Sequence, residues 1–190
     1  MEVVQHPRPA AAAVPPTLAG VAGGRDVRAD LDEVFRCHYQ LVVGVAARVL
    51  GSRDQAEDVA QDVFLSFGRS SVPLGEARGW LSVAAAHTAL NLIRSRRRRV
   101  SREGIVAADG DAVVSDVAEA VVTAEERSRV RTALARLPRQ QAVALVLRHS
   151  GLSYAEVAAA LALSPGSVGT TVRRAESALR KELNRHASSD

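Results

Sequence analysis

The chain has 190 residues, of which 47% are hydrophobic and 24% charged, which suits one or two small globular domains. Its formal net charge is +4 and its sequence pI is near 10.1, so it is moderately basic. The single cysteine, Cys37, excludes a disulfide framework and a thiolate zinc site, and we expect it to be buried as a small hydrophobic residue. No apolar run matches a membrane helix and no secretory signal is recognisable, so we expect a cytoplasmic protein without membrane insertion.

The charges are unevenly distributed along the chain. A dense basic cluster near the middle is followed by an acidic stretch and then by a second basic segment. A nucleic-acid partner explains the two basic parts. The basic cluster consists of Arg94, Arg96, Arg97, Arg98 and Arg99.

The first half of the chain predicts a tail and two helices. Residues 1–27 are rich in Ala, Pro and Gly and predict a disordered tail. Apolar residues at helical spacing then predict a helix from Leu31 to Leu50, ended by Gly51. Ser52, followed by Gln55, predicts a capping box for the next helix. That helix has an apolar face and an opposite face that is acidic and polar. The polar face is formed by Glu57, Asp58, Gln61 and Asp62.

The middle of the chain predicts a loop, a long helix and a linker. The stretch from Gly68 to Glu76 contains serines, a proline and a glycine, and predicts a loop. A long helix follows from about Arg78 to Arg99. Residues 101–122 lack a helical stripe and predict an acidic linker, and two helices within 125–149 lead into the C-terminal segment. Because no strand alternation is present, the predicted fold class is all-α, with two small helical domains joined by a flexible linker.

The C-terminal segment from Leu152 to Ala175 predicts a helix-turn-helix. Ser153 and Glu156 predict a capping box for its first helix. Ser164 is a natural N-cap for the second helix, and Pro165 suits the first helical position, where its missing N–H costs nothing. The segment therefore predicts two short helices joined by a tight turn.

The second helix of this motif presents a polar and basic face. Small Ala158 and Ala162 are expected to let the second helix approach closely. In this motif the N-terminal part of the second helix enters the major groove of DNA. Taken alone, the segment is also compatible with an ordinary helical hairpin whose arginines are merely solvated. The polar face carries Ser167, Thr170, Thr171, Arg173 and Arg174.

With both halves in view, the chain resembles the extracytoplasmic-function (ECF) sigma factors of bacterial RNA polymerase, the minimal members of the sigma-70 family. The resemblance covers about Leu31 to Leu183. It rests on the order and spacing of several motifs, because any one of them is only modestly specific. The motifs are Ala56-Glu-Asp-Val-Ala-Gln-Asp-Val-Phe64, Trp80-Leu81 leading to Asn91-Leu-Ile-Arg-Ser-Arg96, Leu137-Pro-Arg-Gln140, and Gly151-Leu-Ser-Tyr-Ala-Glu-Val-Ala158.

The resemblance implies a division of the chain and a set of partners. After the tail, a region 2 type domain at 28–100 would bind the β′ clamp of core RNA polymerase and read the −10 promoter element. The acidic linker at 101–122 follows. A region 4 type helix-turn-helix domain at 123–186 would sit on the β flap and read the −35 element. The family is often held inactive by an anti-sigma factor, although this sequence identifies none. We expect no catalytic residue, cofactor or metal, since the histidines show no metal-ligand spacing.

The resemblance also assigns site residues. The acidic face of Glu57, Asp58, Gln61 and Asp62 would bind the clamp, whereas without the resemblance it would be taken as a solvated helix face. The loop from Arg69 to Glu76 resembles the family's loop that captures a flipped −10 base. Arginines near that site can neutralise phosphates. The residues implied in −10 contacts are His87, Asn91, Arg94, Arg96, Arg97 and Arg98. Those implied in −35 contacts are Ser167, Thr170, Thr171, Arg173 and Arg174.

Three short stretches depart from the family pattern. Many members have Arg-Asn where this chain has Ala86-His87, and Asp where it has Asn91, so we expect an altered −10 preference. A common Lys-Ser-Arg is replaced by Gly169-Thr170-Thr171 in the recognition helix. A helical glycine costs about 1 kcal/mol relative to alanine. Because two phosphate-binding charges are also absent, we expect weaker or altered −35 binding.

Two alternatives remain open from the sequence. A LuxR-type helix-turn-helix regulator has a similar Leu-Ser-x-x-Glu-Val-Ala pattern, but it would carry an N-terminal domain with strands and would bind DNA on its own. For the acidic linker, carboxylates that mimic RNA phosphates in the polymerase cleft and a plain spacer explain the sequence equally well.

Overall fold

The computed structural model describes residues 28–103 and 117–187, and the regular elements in these ranges are all helical. The predicted tail at 1–27 and the central part of the predicted linker, 104–116, lie outside the described residues. The described helices are α1 Leu31–Leu50, α2 Arg53–Gly68, α3 Ala77–Glu103, α4 Val117–Arg136, α5 Arg139–His149, α6 Tyr154–Leu161 and α7 Pro165–Ala187, with a 3-10 turn at Leu74–Glu76.

The predicted all-α class with two helical domains is confirmed. Helix α1 has the predicted bounds, whereas α3 continues to Glu103 and α4 begins at Val117, ahead of the predicted start at Glu125. The stretch before Glu125 reads as linker because it is acidic, follows Gly104 and Gly110 and has only a weak apolar stripe, although Asp116 and Glu119 have the spacing of a capping box. Its alanines and Glu119 are nevertheless good helix formers, so the helix extends into it.

The first domain is a three-helix unit formed by α1, α2 and α3. Helix α1 buries a row of valines against the other two helices. Phe67 of α2 and Leu81 and Leu90 of α3 are fully buried at the centre. Complete burial of one such side chain stabilises a fold by about 1.5–3 kcal/mol. The valines of α1 are Val34, Val42, Val43, Val45 and Val49.

The turn between α1 and α2 explains the sharp reversal of the chain. Gly51 has φ +73°, a left-handed conformation that suits glycine, and its N–H donates to the Ala47 carbonyl at 2.7 Å. The Ser52 hydroxyl accepts from the Gln55 N–H at 3.4 Å. The Gln55 side-chain oxygen is buried without a partner, so the predicted capping box is only half formed. The prediction of a reciprocal box at this position is therefore wrong.

The second domain packs α4, α5 and α6 against α7. Val143 and Leu147 of α5, Val157 of α6 and Val172 of α7 are almost fully buried. The guanidinium of Arg136 at the end of α4 bonds Glu182 of α7 at 3.3 Å. This domain also packs against the first, because α4, α5 and α6 all contact α3.

Two burial predictions are corrected by the structure. Cys37 is exposed rather than buried, because it shares its side of α1 with the exposed Glu33 and Gln40. Ala158 is buried, as expected for the close approach of α7, but Ala162 is exposed. Ala162 instead ends α6 in the left-handed conformation, with φ +52°.

Candidate functional site

The acidic face of α2 is presented to solvent in the first domain. Asp58, Gln61 and Asp62 are exposed. Glu57 is half-buried and its carboxylate accepts from Arg53 Nε at 2.9 Å, one helical turn away. Both partners of that ion pair are accessible, so it contributes little to stability and leaves the carboxylate available for exchange with another cation. The four residues therefore form one accessible acidic strip along α2.

This strip borders a groove between α1 and α2, which we call the α1–α2 groove. The groove has a volume of about 790 Å³ and is lined by Leu31, Phe35, Tyr39, Glu57, Asp58, Gln61, Phe64 and Leu65 among others. Its rim is polar and its floor is aromatic. The ring centroid of Phe35 lies 4.9 Å from those of both Tyr39 and Phe64, a tilted aromatic cluster.

Two apolar residues of this groove were not singled out from the sequence. Phe35 is 40% exposed and Leu65 is 48% exposed, although both belong to well-packed helices. Phe35 reads as part of the apolar face of α1, so its exposure carries no sequence signal. Leu65 interrupts the polar side of α2, and that interruption is the one clue that the sequence offered. An apolar floor with a carboxylate rim suits a basic, amphipathic helix from a partner.

The loop that follows α2 is fastened by Arg28, which sequence reasoning did not select. Arg28 Nη1 donates to the carbonyl of Val72 at 2.7 Å, and its guanidinium lies 4.3 Å from the centre of the Phe67 ring. Asp30 accepts from Arg28 Nη2 at 2.7 Å and raises the arginine's pKa. Ser70 Oγ donates to the Phe67 carbonyl at 2.7 Å. The loop is thus held at two points, while Leu74 at its outer end is 48% exposed.

The C-terminal half of α3 presents an arginine surface. Arg96, Arg97, Arg98 and Arg99 are all exposed. Arg102 Nε donates to the carbonyl of Arg98 at 3.2 Å, which lays one more guanidinium along the same helix. Asn91 is also exposed. These side chains form a strongly positive surface that can bind a phosphate backbone.

Two other residues implied in −10 contacts face the second domain instead. His87 is half-buried and its Nδ1 has no hydrogen-bond partner. Burial lowers the pKa of His87 to about 4, with smaller contributions from Arg139 and Arg94. Arg94 donates from Nη2 to the Leu137 carbonyl at 2.9 Å and from Nε to the Ala135 carbonyl at 3.2 Å. Burial is also the main reason why the pKa of Arg94 is lowered.

The capping box that the sequence predicts at the start of α6 is present in the helix-turn-helix. At the start of α6, Ser153 Oγ accepts from the Glu156 N–H, and Glu156 in turn accepts from the Ser153 N–H at 2.8 Å, a complete capping box. These bonds lower the pKa of the Glu156 carboxyl. Helix α7 begins at Pro165, as predicted. Ser164 Oγ donates to Ser167 Oγ at 2.9 Å, which closes the turn into α7.

The recognition face of α7 is open to solvent. Thr170, Arg173 and Arg174 are exposed, whereas Ser167 and Thr171 are half-buried. The Thr171 hydroxyl donates to the Ser167 carbonyl at 2.9 Å, and Arg173 Nε donates to the Gly169 carbonyl at 3.2 Å. The exposed set is therefore one threonine and two arginines, with the threonine nearest the N-terminus of α7. Such a set can bond base edges and phosphates in a major groove.

A second groove lies between α5 and α7, which we call the α5–α7 groove. Its volume is about 390 Å³, and Leu145, Leu179 and Leu183 give it an apolar floor. Glu176, Arg180 and His149 stand at its edge. Sequence reasoning assigned Leu179 and Leu183 to the buried stripe of α7, but both are only half-buried. The groove thus offers an apolar docking face on the side of the domain away from Ser167.

No helix within residues 28–103 and 117–187 is long and apolar enough to cross a membrane. Over the same ranges, His, Cys, Asp and Glu side chains form no group of three or more that could hold a metal ion.

Two family models match the chain, one on each domain. The model described as Sigma-70 region 2 matches residues 34–99, and the model described as Sigma-70, region 4 matches residues 127–179. The first match covers most of α1 to α3, and the second runs from α4 into α7. Both matches therefore coincide with the helical domains that carry the surfaces described above.

Curated relatives of known type align with most of the chain. It is 30% identical over 162 residues to the ECF RNA polymerase sigma factor SigE of Mycolicibacterium smegmatis, covering 83% of this chain and 63% of the relative. It is 33% identical to the probable ECF RNA polymerase sigma factor SigI of Mycobacterium tuberculosis, of which it spans 53%. It is 31% identical over 157 residues to the RNA polymerase sigma-H factor of Pseudomonas aeruginosa, covering 75% of this chain and 80% of the relative.

A solved structure is also similar to the chain. It is the co-crystal structure of the sigma factor RpoE in complex with the anti-sigma factor NepR from Bartonella quintana. The TM-score is 0.48 at 21% sequence identity, and the alignment covers 82% of this chain and 97% of the other.

Proposed function

The chain belongs to the sigma-70 family, on its ECF branch, and from that membership we propose that it binds core RNA polymerase and directs promoter-specific initiation of transcription. The observation that carries this proposal is the matched pair of domains: an arginine-bearing region 2 helix precedes a helix-turn-helix with an open recognition face. Reading two promoter elements requires both surfaces on one chain. The proposed function requires no catalytic residue. Because the protein would act together with core polymerase, we propose that it is cytoplasmic.

In this proposal the first domain binds the β′ clamp through the α1–α2 groove and its acidic strip. An apolar floor stabilises a docked helix, and carboxylates at the rim set its register by pairing with basic residues. Asp58 and Gln61 lie at the centre of the strip, where they can contact the partner directly. Phe35 and Leu65 supply the apolar contact that the strip lacks. The groove therefore extends the binding surface beyond the four residues assigned from the family motif.

The same domain would read the −10 element with the exposed part of α3 and the loop from Arg69 to Glu76. The arginines after Asn91 would neutralise phosphates and make affinity fall steeply with salt. They would fix the register of the DNA without reading its sequence. The loop that Arg28 fastens would receive an extruded base, and a preformed loop lowers the ordering cost of that step.

The second domain would dock on the β flap through the α5–α7 groove and read the −35 element with α7. The groove and the recognition face lie on different sides of α7, so one helix can serve polymerase and DNA together. An anti-sigma factor, common in the family, would act by covering these surfaces. A LuxR-type regulator is disfavoured because the described part of the N-terminal half is helical rather than strand-bearing.

Binding to sigma-free core RNA polymerase tests the proposal directly. The purified chain should co-elute with core polymerase on size exclusion and should be displaced by a competing sigma factor. On its own it should bind duplex promoter DNA weakly. Tight binding to duplex DNA without any association with core polymerase would support the LuxR-type alternative and would overturn the sigma proposal.

A further inference from the structure

The α1–α2 groove lies where the described chain starts. Arg28 and Ala29, the first two described residues, are among those that line it. From Leu31 to Tyr39 the groove follows α1 over about 12 Å, at 1.5 Å per residue. Residues 1–27 therefore join the described part of the protein at the edge of an accessible groove.

Three aromatic rings form the floor of this groove, and two of them are accessible. The ring centroids of Phe35 and Tyr39 lie 4.9 Å apart, and Tyr39 stacks on Phe64 with centroids 6.5 Å apart. Phe35 is exposed and Tyr39 half-buried, whereas Phe64 is buried. Grooves lined by aromatic rings are the surfaces that proline-rich segments bind, because a polyproline II segment is already extended and loses little entropy on docking.

Asp58 is the groove carboxylate that has no cation beside it in the described part of the chain. The Glu57 carboxylate accepts from Arg53 Nε, and Asp32 pairs with Arg36. Asp58 lines the groove and is exposed, but among the described residues it forms no ion pair. A basic side chain from outside the described ranges would therefore find Asp58 available.

The N-terminal tail contains a segment that matches both features of the groove. Its residues Pro7-Arg8-Pro9 place an arginine between two prolines, and Arg8 is the only Lys or Arg within residues 1–24. Prolines favour polyproline II, which has three residues per turn, so successive side chains point about 120° apart. Both prolines can then pack on the aromatic floor while Arg8 faces the carboxylate rim.

The chain between this segment and the groove is long enough for docking within one molecule. Residues 11–27 connect Ala10 to Arg28. A flexible linker of that length spans about 21–25 Å on average, which exceeds the length of the groove. Such a tether holds the segment at an effective concentration of about 1 mM. The other proline pair, Pro15-Pro16, lies within this connection and has no basic neighbour, so it matches the floor alone.

We propose that Pro7-Arg8-Pro9 of the tail docks in the α1–α2 groove of the same molecule, with the prolines on the aromatic floor and Arg8 paired with Asp58. The proposed function assigns this groove to the β′ clamp, so the docked tail competes with polymerase. That consequence rests on the proposed function, whereas docking itself does not. With a dissociation constant of about 0.1 mM for the segment, an effective concentration of about 1 mM lowers the affinity for core polymerase about tenfold.

The single native cysteine allows docking to be measured in the full-length chain. Cys37 is exposed on α1 and does not line the groove, so a nitroxide attached to it lies near the groove without filling it. The nitroxide broadens the NMR signals of nearby amides. Prolines have no N–H, so the reporters are the amides of Arg8 and Ala10. Docking predicts stronger broadening at these two amides than at Leu18, halfway along the connection.

Charge substitutions identify the docked pair. Arg8→Glu should remove the extra broadening, and Arg25→Glu, the same change of charge outside the segment, should keep it. Asp58→Lys should remove it as well. Combining Asp58→Lys with Arg8→Glu should restore it, because the pair is rebuilt with its charges exchanged.

Two NMR outcomes would overturn the proposal. The first is broadening in the wild-type chain that falls steadily with distance along the chain from Arg28, or that persists unchanged in Arg8→Glu. The second comes from a mixture of isotope-labelled chains without nitroxide and nitroxide-labelled chains without isotope. Broadening of Arg8 and Ala10 in that mixture would assign the segment to the groove of a second copy.

Titration with core polymerase tests the competition. Arg8→Glu should bind core polymerase about 3- to 10-fold more tightly than the wild-type chain, and Arg25→Glu should bind within about twofold of it. Equal affinities of all three chains would overturn the competition. If none of the three chains binds core polymerase, the proposed function fails instead, while the NMR signals still report whether the tail docks.

Discussion

At position 162 an alanine holds the left-handed conformation that ends α6, with φ +52°. Left-handed backbone costs a residue with a Cβ about 1–2 kcal/mol, whereas glycine adopts it freely. We therefore expect Ala162→Gly to stabilise the protein by about 1 kcal/mol, measured by urea unfolding.

The matched control for this prediction is Ala159→Gly. Ala159 is exposed in the same helix but has ordinary helical geometry, so glycine there should destabilise by about 1 kcal/mol. If both substitutions shift the urea midpoint of unfolding in the same direction, the left-handed conformation at position 162 does not destabilise the wild-type protein.

His87 predicts a pH dependence of stability. Its pKa is lowered to about 4 by burial and by the guanidinium groups of Arg139 and Arg94, whereas in an unfolded chain it is near 6.5. The unfolded chain therefore binds more protons between these values. The stabilisation is fully present above pH 6.5 and is lost as the pH falls towards 4. We expect the free energy of unfolding to drop by about 1–2 kcal/mol between pH 7.5 and pH 5 through this residue.

The comparison that isolates this effect is His87→Gln, unfolded in urea at both pH values. The variant should lose much of the pH dependence of the unfolding free energy. A smaller dependence should remain, because burial also lowers the pKa of His38. If the free energy of unfolding depends on pH equally in the wild-type and variant chains, protonation of His87 does not destabilise the folded protein.

At the scale of the helices, the acidic strip of α2 leads to a prediction about the affinity for core polymerase. Asp58→Lys reverses the charge at the rim of the α1–α2 groove and places a cation where a basic partner is proposed. We expect the affinity for core polymerase to fall by about 10- to 100-fold, since a like charge facing a partner's cation costs several kcal/mol when close. Fluorescence anisotropy of labelled protein against core polymerase measures the change.

Glu33→Lys is the control for Asp58→Lys. Glu33 is exposed on α1, and it does not line the groove, so the same change of charge there should leave core affinity within about twofold. An equal loss from both variants would mean that net charge, rather than this surface, governs the association.

Position 169 of helix α7 leads to the prediction that an added positive charge strengthens −35 binding. Gly169 has room for a side chain, because an added Cβ would meet only Arg173 Nη2 at 3.9 Å. Gly169→Lys should strengthen −35 binding by the holoenzyme and steepen its dependence on salt by about one counterion. Gly169→Ala should give only the helix stabilisation of about 1 kcal/mol. A lysine variant no better than the alanine variant would remove position 169 from the DNA-facing surface.

The helices themselves could largely be predicted from the sequence, because their signals are local. The apolar spacing of α1, the capping box at Ser153 and the Ser164-Pro165 start of α7 all act within one or two turns. The start of α4 was missed because Gly104, Gly110 and the acidic composition of the stretch outweighed the spacing of Asp116 and Glu119, which matches a capping box. The exposed Phe35 was missed because exposure depends on the neighbouring helix and not on spacing.

At the scale of the whole molecule, the contact between the domains had no counterpart in the sequence. Arg94 reads as one arginine in a basic cluster, yet it bonds main-chain carbonyls at the end of α4. Carbonyl acceptors carry no side-chain signature, and the contact joins residues separated by about 40 positions. Arg28 was missed for the same reason, because its partner is the carbonyl of Val72. Neither motifs nor the spacing of apolar residues can predict long-range hydrogen bonds from a side chain to the backbone.

In the proposed function, the molecule combines two grooves that dock on polymerase with two surfaces that face DNA. The α1–α2 groove adjoins the acidic strip of the first domain, and the α5–α7 groove lies behind the recognition face of the second. Such pairing suits a protein that bridges polymerase and promoter, since each domain can hold both partners at once. Cooperation between the two domains would then multiply their separate affinities through effective concentration.

Run-off transcription tests the proposed sigma-factor function most directly. Purified protein is added to sigma-free core polymerase on pooled genomic promoter fragments, and the start sites of new transcripts are mapped. A sigma factor should give transcripts that appear only with the protein and start at a fixed distance downstream of a shared pair of −35 and −10 sequences. No protein-dependent transcript, with the protein alone shifting duplex DNA, would contradict it.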